Sequence, residues 1–352
     1  SVVDGFDKYC KRLRIDPGSG NKNYAIVQAE DELAAIGMVI GASWNGARAF
    51  TATSGPGISL MSEFLGLAYF AEIPTVLIDV QRAGPSTGMP TRTQQSDVLA
   101  CAYASHGDTK HVLLFPATPR ECFEMSADAF DLAETLQTPV IMLTDLDLGM
   151  NDTMSPPLVW DDKREYKRGK VFNEEQLEAM SERFGRYLDV DGDGIPYRTY
   201  PGSHPTKGAF FTRGTSRDEY AVYTEDGDAY EKNMQRLLKK WDTAKNLVPM
   251  PELIEANKGG SKVGVIHFGT SRDATLEAID ALAAEGIAVD TLRIKGFPFH
   301  KSVDAFIEQH DTVFVVDQNR DAQMRTLLVN ECLVSHFDFK LQRHPHYRAQ
   351  DP

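Results

Sequence analysis

The chain has 352 residues, of which 42% are hydrophobic and 25% charged, so it has the composition of a globular protein with material for two cores. Its formal net charge of -14 argues against nucleic acid or an anionic membrane as the main partner, because both attract basic surfaces. No apolar run approaches the ~18 residues of a membrane span, and no signal-peptide pattern opens the chain. We therefore expect a cytoplasmic protein.

The cysteines point to the same compartment. They are widely spaced, with no CxxC pair and no metal-ligand spacing, at Cys10, Cys101, Cys122 and Cys332. This pattern does not indicate a disulfide framework, and a reducing compartment is expected. An iron–sulfur cluster normally takes four thiolates, so we do not expect the chain to build one by itself.

The first part of the chain, residues 1–150, alternates predicted strands and helices. The predicted strands are Tyr24–Ala29, Arg48–Thr53, Thr75–Val80, His111–Phe115 and Pro139–Leu143, and the predicted helices are Glu32–Trp44, Ile58–Phe70 and Glu121–Leu136. Strands that alternate with helices of this length indicate an α/β fold with a doubly wound parallel sheet.

The second half divides into two parts. Residues 151–257 are charged, rich in glycine, proline and tyrosine, and weakly periodic, with one predicted helix at Tyr230–Ala244. So long an irregular stretch is usually functional or in contact with a partner. Alternation resumes at Lys262 and predicts a smaller α/β domain over residues 258–352, built from Val263–Phe268, Ala274–Glu285, Ala288–Ile294, Val303–Gln309, Thr312–Val316 and Ala322–Val334.

Two carboxylates mark the start of the first long predicted helix. Glu30 and Glu32 lie in the segment VQAEDELAAIG, where a predicted strand ends and a small-residue helix begins. Acidic groups at a helix N-terminus are favoured by the helix dipole by ~0.3–1 kcal/mol, which is a sufficient structural explanation by itself. A functional role for either carboxylate therefore needs further evidence.

Two loops follow predicted strands of the same sheet. The turn at Ser54–Gly57 opens a helix, and it is either an anion site or a purely structural turn. The segment QRAGPSTGMPTR, at 81–92, lies beyond the carboxyl end of a strand, where open parallel sheets bind ligands. Its Arg82 is suited to grip a carboxylate with two hydrogen bonds, although a solvated loop with an incidental arginine is an equal alternative.

Together these stretches resemble the 2-oxoacid:ferredoxin oxidoreductase family, and within it the 2-oxoglutarate branch. The resemblance runs in order from Ala25 to Leu328 through VQAEDELAAIG, TATSGPGISLM, EIPTVLIDVQRAGPSTGMPT, ECFE, QTPVIMLTD, DVDGDGIPYRTYPG, HPTKGAFFTRGTSRDEYAVYTEDG and QNRDAQMRTLL. Each piece alone is weak, but their colinearity identifies the family.

The resemblance implies a thiamine diphosphate site shared by two subunits. This chain supplies the pyrimidine side, with Glu32 at the aminopyrimidine ring nitrogen and Gly55 and Gly57 beside the cofactor. Glu30 is the competing choice to Glu32. The residue types suit the chemistry, because the imino form of the pyrimidine needs a carboxylic group at that nitrogen.

The resemblance also implies substrates and partners. Arg82 and Thr91 are the expected contacts of the 2-oxoacid substrate. The expected reaction converts 2-oxoglutarate to succinyl-CoA, or runs as the reverse carboxylation. Pyruvate or branched-chain 2-oxoacids are the alternative substrates. Coenzyme A is the co-substrate, ferredoxin accepts electrons, and a beta subunit carries Mg²⁺ and a [4Fe–4S] cluster. A gamma domain or subunit is also expected, and residues 258–352 form a transketolase C-terminal-like domain.

The sequence departs from the family pattern at its start. A YPITPS-like segment that contacts substrate in the family is missing, because the sequence opens with SVVD. A further domain that is often fused upstream is also missing. We therefore expect a fragment or a processed chain whose own active site is incomplete.

One acidic loop suggests a different class of function. Asp189, Asp191 and Asp193 stand at alternate positions, and Gly194 is the sixth residue, as in a calcium loop. The twelfth position is Tyr200 rather than a bidentate glutamate. The loop is expected to be an ordered loop, with a calcium-dependent interaction module over 189–195 as the alternative.

Overall fold

The computed structural model describes residues 2–212, 214–256 and 260–332. The predicted boundary at Asn257, the predicted helix end at Val334 and the rest of the predicted last domain to residue 352 lie outside the described residues. The described helices are α1 (Val2–Leu13), α2 (Glu32–Trp44), α3 (Gly55–Ala71), α4 (Val98–Ala102), α5 (Pro119–Leu136), α6 (Leu146–Met150), α7 (Glu174–Ala179), α8 (Gly227–Ala244), α9 (Ser271–Ala284), α10 (Lys301–Gln309) and α11 (Gln323–Glu331). The described strands are β1 (Phe50–Thr53), β2 (Thr75–Gln81), β3 (Val112–Leu114), β4 (Pro139–Asp145), β5 (Glu252–Ile254), β6 (Val263–Phe268), β7 (Asp290–Ile294), β8 (Gly296–Phe297) and β9 (Thr312–Val315).

The larger sheet has five strands in the order β1-β2-β4-β3-β8. The first four are parallel, and β8 adds to β3 in the antiparallel direction. The central strands β2 and β4 are almost entirely buried, as their mostly apolar sequences predict for strands covered on both faces. The α/β fold with a doubly wound parallel sheet is thus confirmed.

The strand predicted at Tyr24–Ala29 is wrong. This segment has no regular secondary structure, and its apolar side chains Ile26 and Val27 are 40% and 68% exposed. The apolar run suggested a strand, but a strand also needs a hydrogen-bonded neighbour, and β1 pairs with β2 on the sheet edge instead.

Helices α2 and α3 begin close to the edge where the first two strands end. The Asp31 side chain accepts a hydrogen bond from the Ala34 N–H at 2.8 Å and so caps α2, which makes Glu32 its first residue. Ser54 precedes α3, and Pro56 lies in its first turn, where a proline costs no hydrogen bond. The two helix starts therefore face the same region.

The smaller sheet has four strands in the order β5-β7-β6-β9, with β5 antiparallel to β7. It confirms the predicted second α/β unit, although the residue boundaries of the units stay a prediction. The units are joined by β8, which lies on the larger sheet, and by Arg293 of β7, whose Nη1 and Nη2 bind the two Glu121 carboxylate oxygens at 2.8 and 2.6 Å.

Between β4 and the smaller sheet, the described residues from 151 onward form only the helices α7 and α8, and the predicted helix near Tyr230–Ala244 is confirmed as α8. It is held to the larger sheet by buried ion pairs, such as Arg236 with Glu72 at the end of α3. No helix within residues 2–212, 214–256 and 260–332 is long and apolar enough to cross a membrane.

Candidate functional site

The candidate site lies at the carboxyl ends of β1 and β2. These strands are parallel neighbours, so the turn at 54–57 and the loop at 82–92 leave the sheet at the same edge. The N-terminus of α2 reaches this edge as well, because the Glu32 side chain contacts the turn. The fold thus brings together three of the segments that the sequence singled out.

The Glu32 side chain rests against Gly57. A Cβ atom on Gly57 would lie 3.0 Å from Glu32 Cγ and would overlap Thr53 Oγ1, so a residue with a side chain does not fit there without movement. The absence of a side chain at Gly57 is therefore what lets the glutamate approach the turn. Glu32 is partly buried, whereas Glu30 is exposed. This difference favours Glu32 as the carboxylate of the site.

Gly55 packs against Asp97. A Cβ on Gly55 would lie 2.7 Å from Asp97 Oδ1, and the Gly55 N–H donates a hydrogen bond to this carboxylate. The Gly57 and Ile58 N–H groups donate to the Ser54 carbonyl at 2.7 and 3.3 Å. These amides are already engaged, which favours a structural turn over an anion site.

The loop at 82–92 is closed by its own hydrogen bonds. The Ala83 N–H donates to the Arg92 carbonyl and the Met89 N–H donates to the Ala83 carbonyl, both at 2.9 Å. Arg82 is partly buried beside Asp97, and its Nε is buried with no hydrogen-bond partner among the described residues. Thr91 is exposed on the same loop. Asp97 therefore lies between Arg82 and the turn at 54–57, which Glu32 contacts.

A carboxyl pair under the turn was missed from the sequence. Asp79 of β2 is fully buried, and its carboxyl group interacts with that of Asp97. Asp79 Oδ1 and Asp97 Oδ2 are buried with no hydrogen-bond donor among the described residues. Burial and the neighbouring carboxylate raise the pKa of Asp79 well above its usual value, and burial raises the pKa of Asp97 to about 6. Cys101 Sγ lies 3.7 Å from Asp79 Oδ2. The available signal was an aspartate inside the apolar strand TVLIDV.

The acidic loop at 189–195 lies elsewhere. Lys170 Nζ binds Asp191 Oδ2 at 2.7 Å and Asp193 Oδ1 at 2.8 Å, and Asp189 Oδ1 accepts the Gly192 N–H at 2.9 Å. An ammonium group therefore occupies the position that a cation would take between these carboxylates. Gly194 packs on Lys240 of α8, and Lys240 binds Glu72.

The acidic loop is remote from the turn. Glu72 follows the C-terminus of α3, whose 17 residues span roughly 25 Å from the turn at its N-terminus. Within the described parts of the chain, no group of three or more histidine, cysteine, aspartate or glutamate side chains is arranged to hold a metal ion.

A family model described as pyruvate flavodoxin/ferredoxin oxidoreductase, thiamine diphosphate-binding, matches residues 5–237. The chain belongs to this family. Among curated members, it is 37% identical over 308 residues to 2-oxoacid:ferredoxin oxidoreductase 2, subunit alpha, of Aeropyrum pernix, which covers 86% of this chain and 46% of that protein. It is 31% identical over 316 residues to 2-oxoglutarate synthase subunit KorA of Methanothermobacter marburgensis, which covers 86% of this chain and 77% of that one.

A solved member of the family has the same fold. The 2-oxoglutarate:ferredoxin oxidoreductase of Magnetococcus marinus, solved with 2-oxoglutarate, coenzyme A and succinyl-CoA bound, matches 94% of this chain and 55% of its own with a TM-score of 0.80 and 29% identity. The chain thus spans about half the length of that structure and of several curated relatives. The recognised family and the α/β fold expected from the sequence are both confirmed.

Proposed function

We propose that this chain supplies the pyrimidine side of the thiamine diphosphate site in an enzyme that oxidises 2-oxoglutarate. The reaction joins 2-oxoglutarate and coenzyme A into succinyl-CoA and carbon dioxide, with release of the thiol proton and transfer of two electrons to ferredoxin, or it runs as the reverse carboxylation. The observation that carries the proposal is the partly buried Glu32 against Gly57, at the strand edge that also holds Arg82.

The residues present fit the pyrimidine part of the cofactor. Bound thiamine diphosphate supplies the electron sink for cleavage of the bond between the 2-oxo carbon and the carboxylate. Glu32 would hold a proton at the pyrimidine ring nitrogen, and its partial burial at the N-terminus of α2 suits that role. Gly55 and Gly57 place no side chain at two positions of the turn, and a Cβ at Gly57 would press on Glu32.

Arg82 and Thr91 would bind the 2-oxoacid. Arg82 carries a planar guanidinium that can bind a carboxylate with two hydrogen bonds, and its Nε is without a partner among the described residues. Thr91 adds an exposed hydroxyl on the same loop. Both 2-oxoglutarate and pyruvate carry the 1-carboxylate that this arginine would grip, so the choice of 2-oxoglutarate rests on the named relatives.

We assign the remaining groups to partners. A beta subunit would hold the diphosphate, Mg²⁺ and a [4Fe–4S] cluster, and a gamma domain or subunit would complete the complex in the cytoplasm. The named relatives are alpha subunits, which supports an assembly of several chains. The ion pairs from Lys170 to the loop at 189–195 argue against the alternative of a calcium-dependent module.

The test is to purify this chain with its native partners and screen 2-oxoacids with a viologen dye as electron acceptor. We expect dye reduction that requires coenzyme A and thiamine diphosphate and is fastest with 2-oxoglutarate. The isolated chain is the control and should be colourless and inactive. A complex that retains thiamine diphosphate but fails to reduce the dye with any of the 2-oxoacids would contradict the proposal. A preference for pyruvate would overturn its substrate assignment.

A further inference from the structure

The start of α3 is fixed by a side chain from a distant segment. Gly55 is the first residue of α3, and its N–H belongs to the helix-terminal donors that have no partner within the helix. The Asp97 carboxylate accepts this N–H and lies so close that a Cβ on Gly55 would be 2.7 Å from Asp97 Oδ1. Asp97 thus caps α3 from outside, and Glu32 contacts the other side of the same turn at Gly57.

Asp97 is held in turn by Asp79. Asp79 and the start of α4 meet on one face of β2, because the Asp97 N–H donates to Gln81 Oε1 at 3.2 Å and Cys101 Sγ lies 3.7 Å from Asp79 Oδ2. Asp79 Oδ1 and Asp97 Oδ2 are both buried and have no hydrogen-bond donor among the described residues. Two ionised carboxylates only accept, so a hydrogen bond between these oxygens requires a shared proton. The other strand neighbours of Asp79 are Thr53 on β1 and Leu143 on β4, and neither carries a charge. Among the described residues, the other titratable or charged groups that act on the pair are Cys101 and Arg82.

We propose that Asp79 and Asp97 are a positioning pair, joined by one shared proton, that holds the Ser54–Gly57 turn against Glu32. The proton belongs mainly to Asp79. Asp97 faces the Gly55 N–H, the positive end of the α3 dipole and the Arg82 guanidinium, all of which favour its ionised form. Asp79 is fully buried, and no cation among the described residues contributes to the shift of its pKa.

The pH dependence of stability follows from the raised pKa values of the pair. A carboxyl group whose pKa is higher in the folded than in the unfolded chain binds a proton on folding. Its contribution is fully present below the usual aspartate pKa of 3.8 and is lost as the pH rises through the folded-state value. The native chain should therefore lose this contribution as the pH rises from about 4 through the raised folded-state pKa values of the pair, of which that of Asp97 is about 6.

The experiment compares Asp79→Asn and Asp79→Val with the native chain by urea unfolding from pH 5 to pH 8 and by hydrogen exchange at Gly55. Asn donates to Asp97 without a titrating proton, so the ratio of the native to the Asp79→Asn unfolding constant should rise with pH, by up to about tenfold per pH unit. The hydrogen-exchange rate of the Gly55 amide should stay at its native value in Asp79→Asn. It should become about tenfold faster in Asp79→Val, because valine cannot donate a hydrogen bond to Asp97.

Glu72→Gln is the matched control, because Glu72 is an equally buried carboxylate that is ion-paired. This substitution should destabilise the folded chain at every pH from 5 to 8. An Asp79→Asn chain that is destabilised with an unchanged pH slope would overturn the shared proton. Native exchange at Gly55 in Asp79→Val would overturn the positioning role. If Asp79→Val does not fold, the pH slope of Asp79→Asn still decides the proposal. The role of the turn beside Glu32 rests on the proposed function. Neither the unfolding nor the exchange measurement needs cofactor or turnover, so the positioning pair and the proposed function can fail separately.

Discussion

Glu32 Cγ lies 3.0 Å from the place that a Cβ on Gly57 would take, so the first residue of α2 and the first turn of α3 are packed directly on each other. A carboxylate that starts one helix is thereby held beside the N-terminus of another, at the carboxyl end of β1. This contact links the fold to the proposed chemistry, and it can be tested at both residues.

Gly57→Ala should destabilise the chain by about 1–3 kcal/mol, because the new methyl group overlaps Thr53 Oγ1 and presses on Glu32. The measurement is urea unfolding. The matched control is Gly41→Ala in the exposed part of α2, where a Cβ meets no atom within 4 Å. That change should stabilise the helix by about 0.5–1 kcal/mol. Equal effects of the two substitutions would show that the Gly57 contact is not tight.

Glu72→Gln should lower the free energy of unfolding by about 3–5 kcal/mol at pH 7, because Arg236 and Lys240 would keep buried charges without their carboxylate. These two cations hold the pKa of Glu72 far below its usual value of 4.5, while burial lowers the pKa of Lys240 to about 8 despite the ion pair. A carboxyl group whose pKa is depressed in the folded chain stabilises the fold at pH values above its pKa in the unfolded chain. This contribution is lost as the pH falls toward the folded-state pKa.

The difference between the native chain and Glu72→Gln should therefore shrink from about pH 5 toward about pH 2. Urea unfolding at several pH values measures it. A difference that stays constant with pH would mean that Glu72 is not ionised in the folded chain.

Arg82→Lys should raise the KM for the 2-oxoacid by about tenfold or more in the complete complex, with little change in thiamine diphosphate affinity. Lysine keeps the charge but loses the planar two-point contact with a carboxylate, and one such contact is worth about 1.4 kcal/mol or more. Arg92→Lys, at an exposed position of the same loop, is the control and should leave KM nearly unchanged. Unchanged KM in both variants would place the carboxylate site elsewhere.

Calcium should bind the loop at 189–195 no more tightly than about the millimolar range, since the bidentate twelfth ligand is missing and Lys170 holds two of the carboxylates. Calorimetry of the native chain checks this. Lys170→Met removes the competing ammonium group and should strengthen any binding that exists. Micromolar affinity in the native chain would revive the calcium-dependent module.

The sequence predicted what periodicity and local chemistry encode. The runs around Leu77 and Ile141 became buried central strands, and the start of α2 at Glu32 and the turn at Gly55 and Gly57 were found in place. It failed for Tyr24–Ala29, because an apolar run does not reveal whether a neighbouring strand is present.

Contacts that depend on the tertiary fold were out of reach. Asp79 and Asp97 come from a strand and from the start of a short helix, and they meet near Gly55 only in the folded chain. Arg236 meets Glu72 across 164 positions of the chain. The acidic loop near Asp191 imitated a calcium site because its partner, Lys170, lies in a segment without a recognisable pattern.

The central claim is that Glu32 is the carboxylate that serves the pyrimidine of thiamine diphosphate. The most direct test is the exchange rate of the cofactor C2 proton in the complete complex, for the native chain, Glu32→Gln and Glu30→Gln. Gln keeps the size of Glu32 but cannot share a proton with the ring nitrogen, so exchange should fall by about 10²–10⁴-fold. Exposed Glu30→Gln should exchange at nearly the native rate. A collapse in Glu30→Gln alone would move the role to Glu30, and fast exchange in both variants would contradict the pyrimidine-side assignment itself.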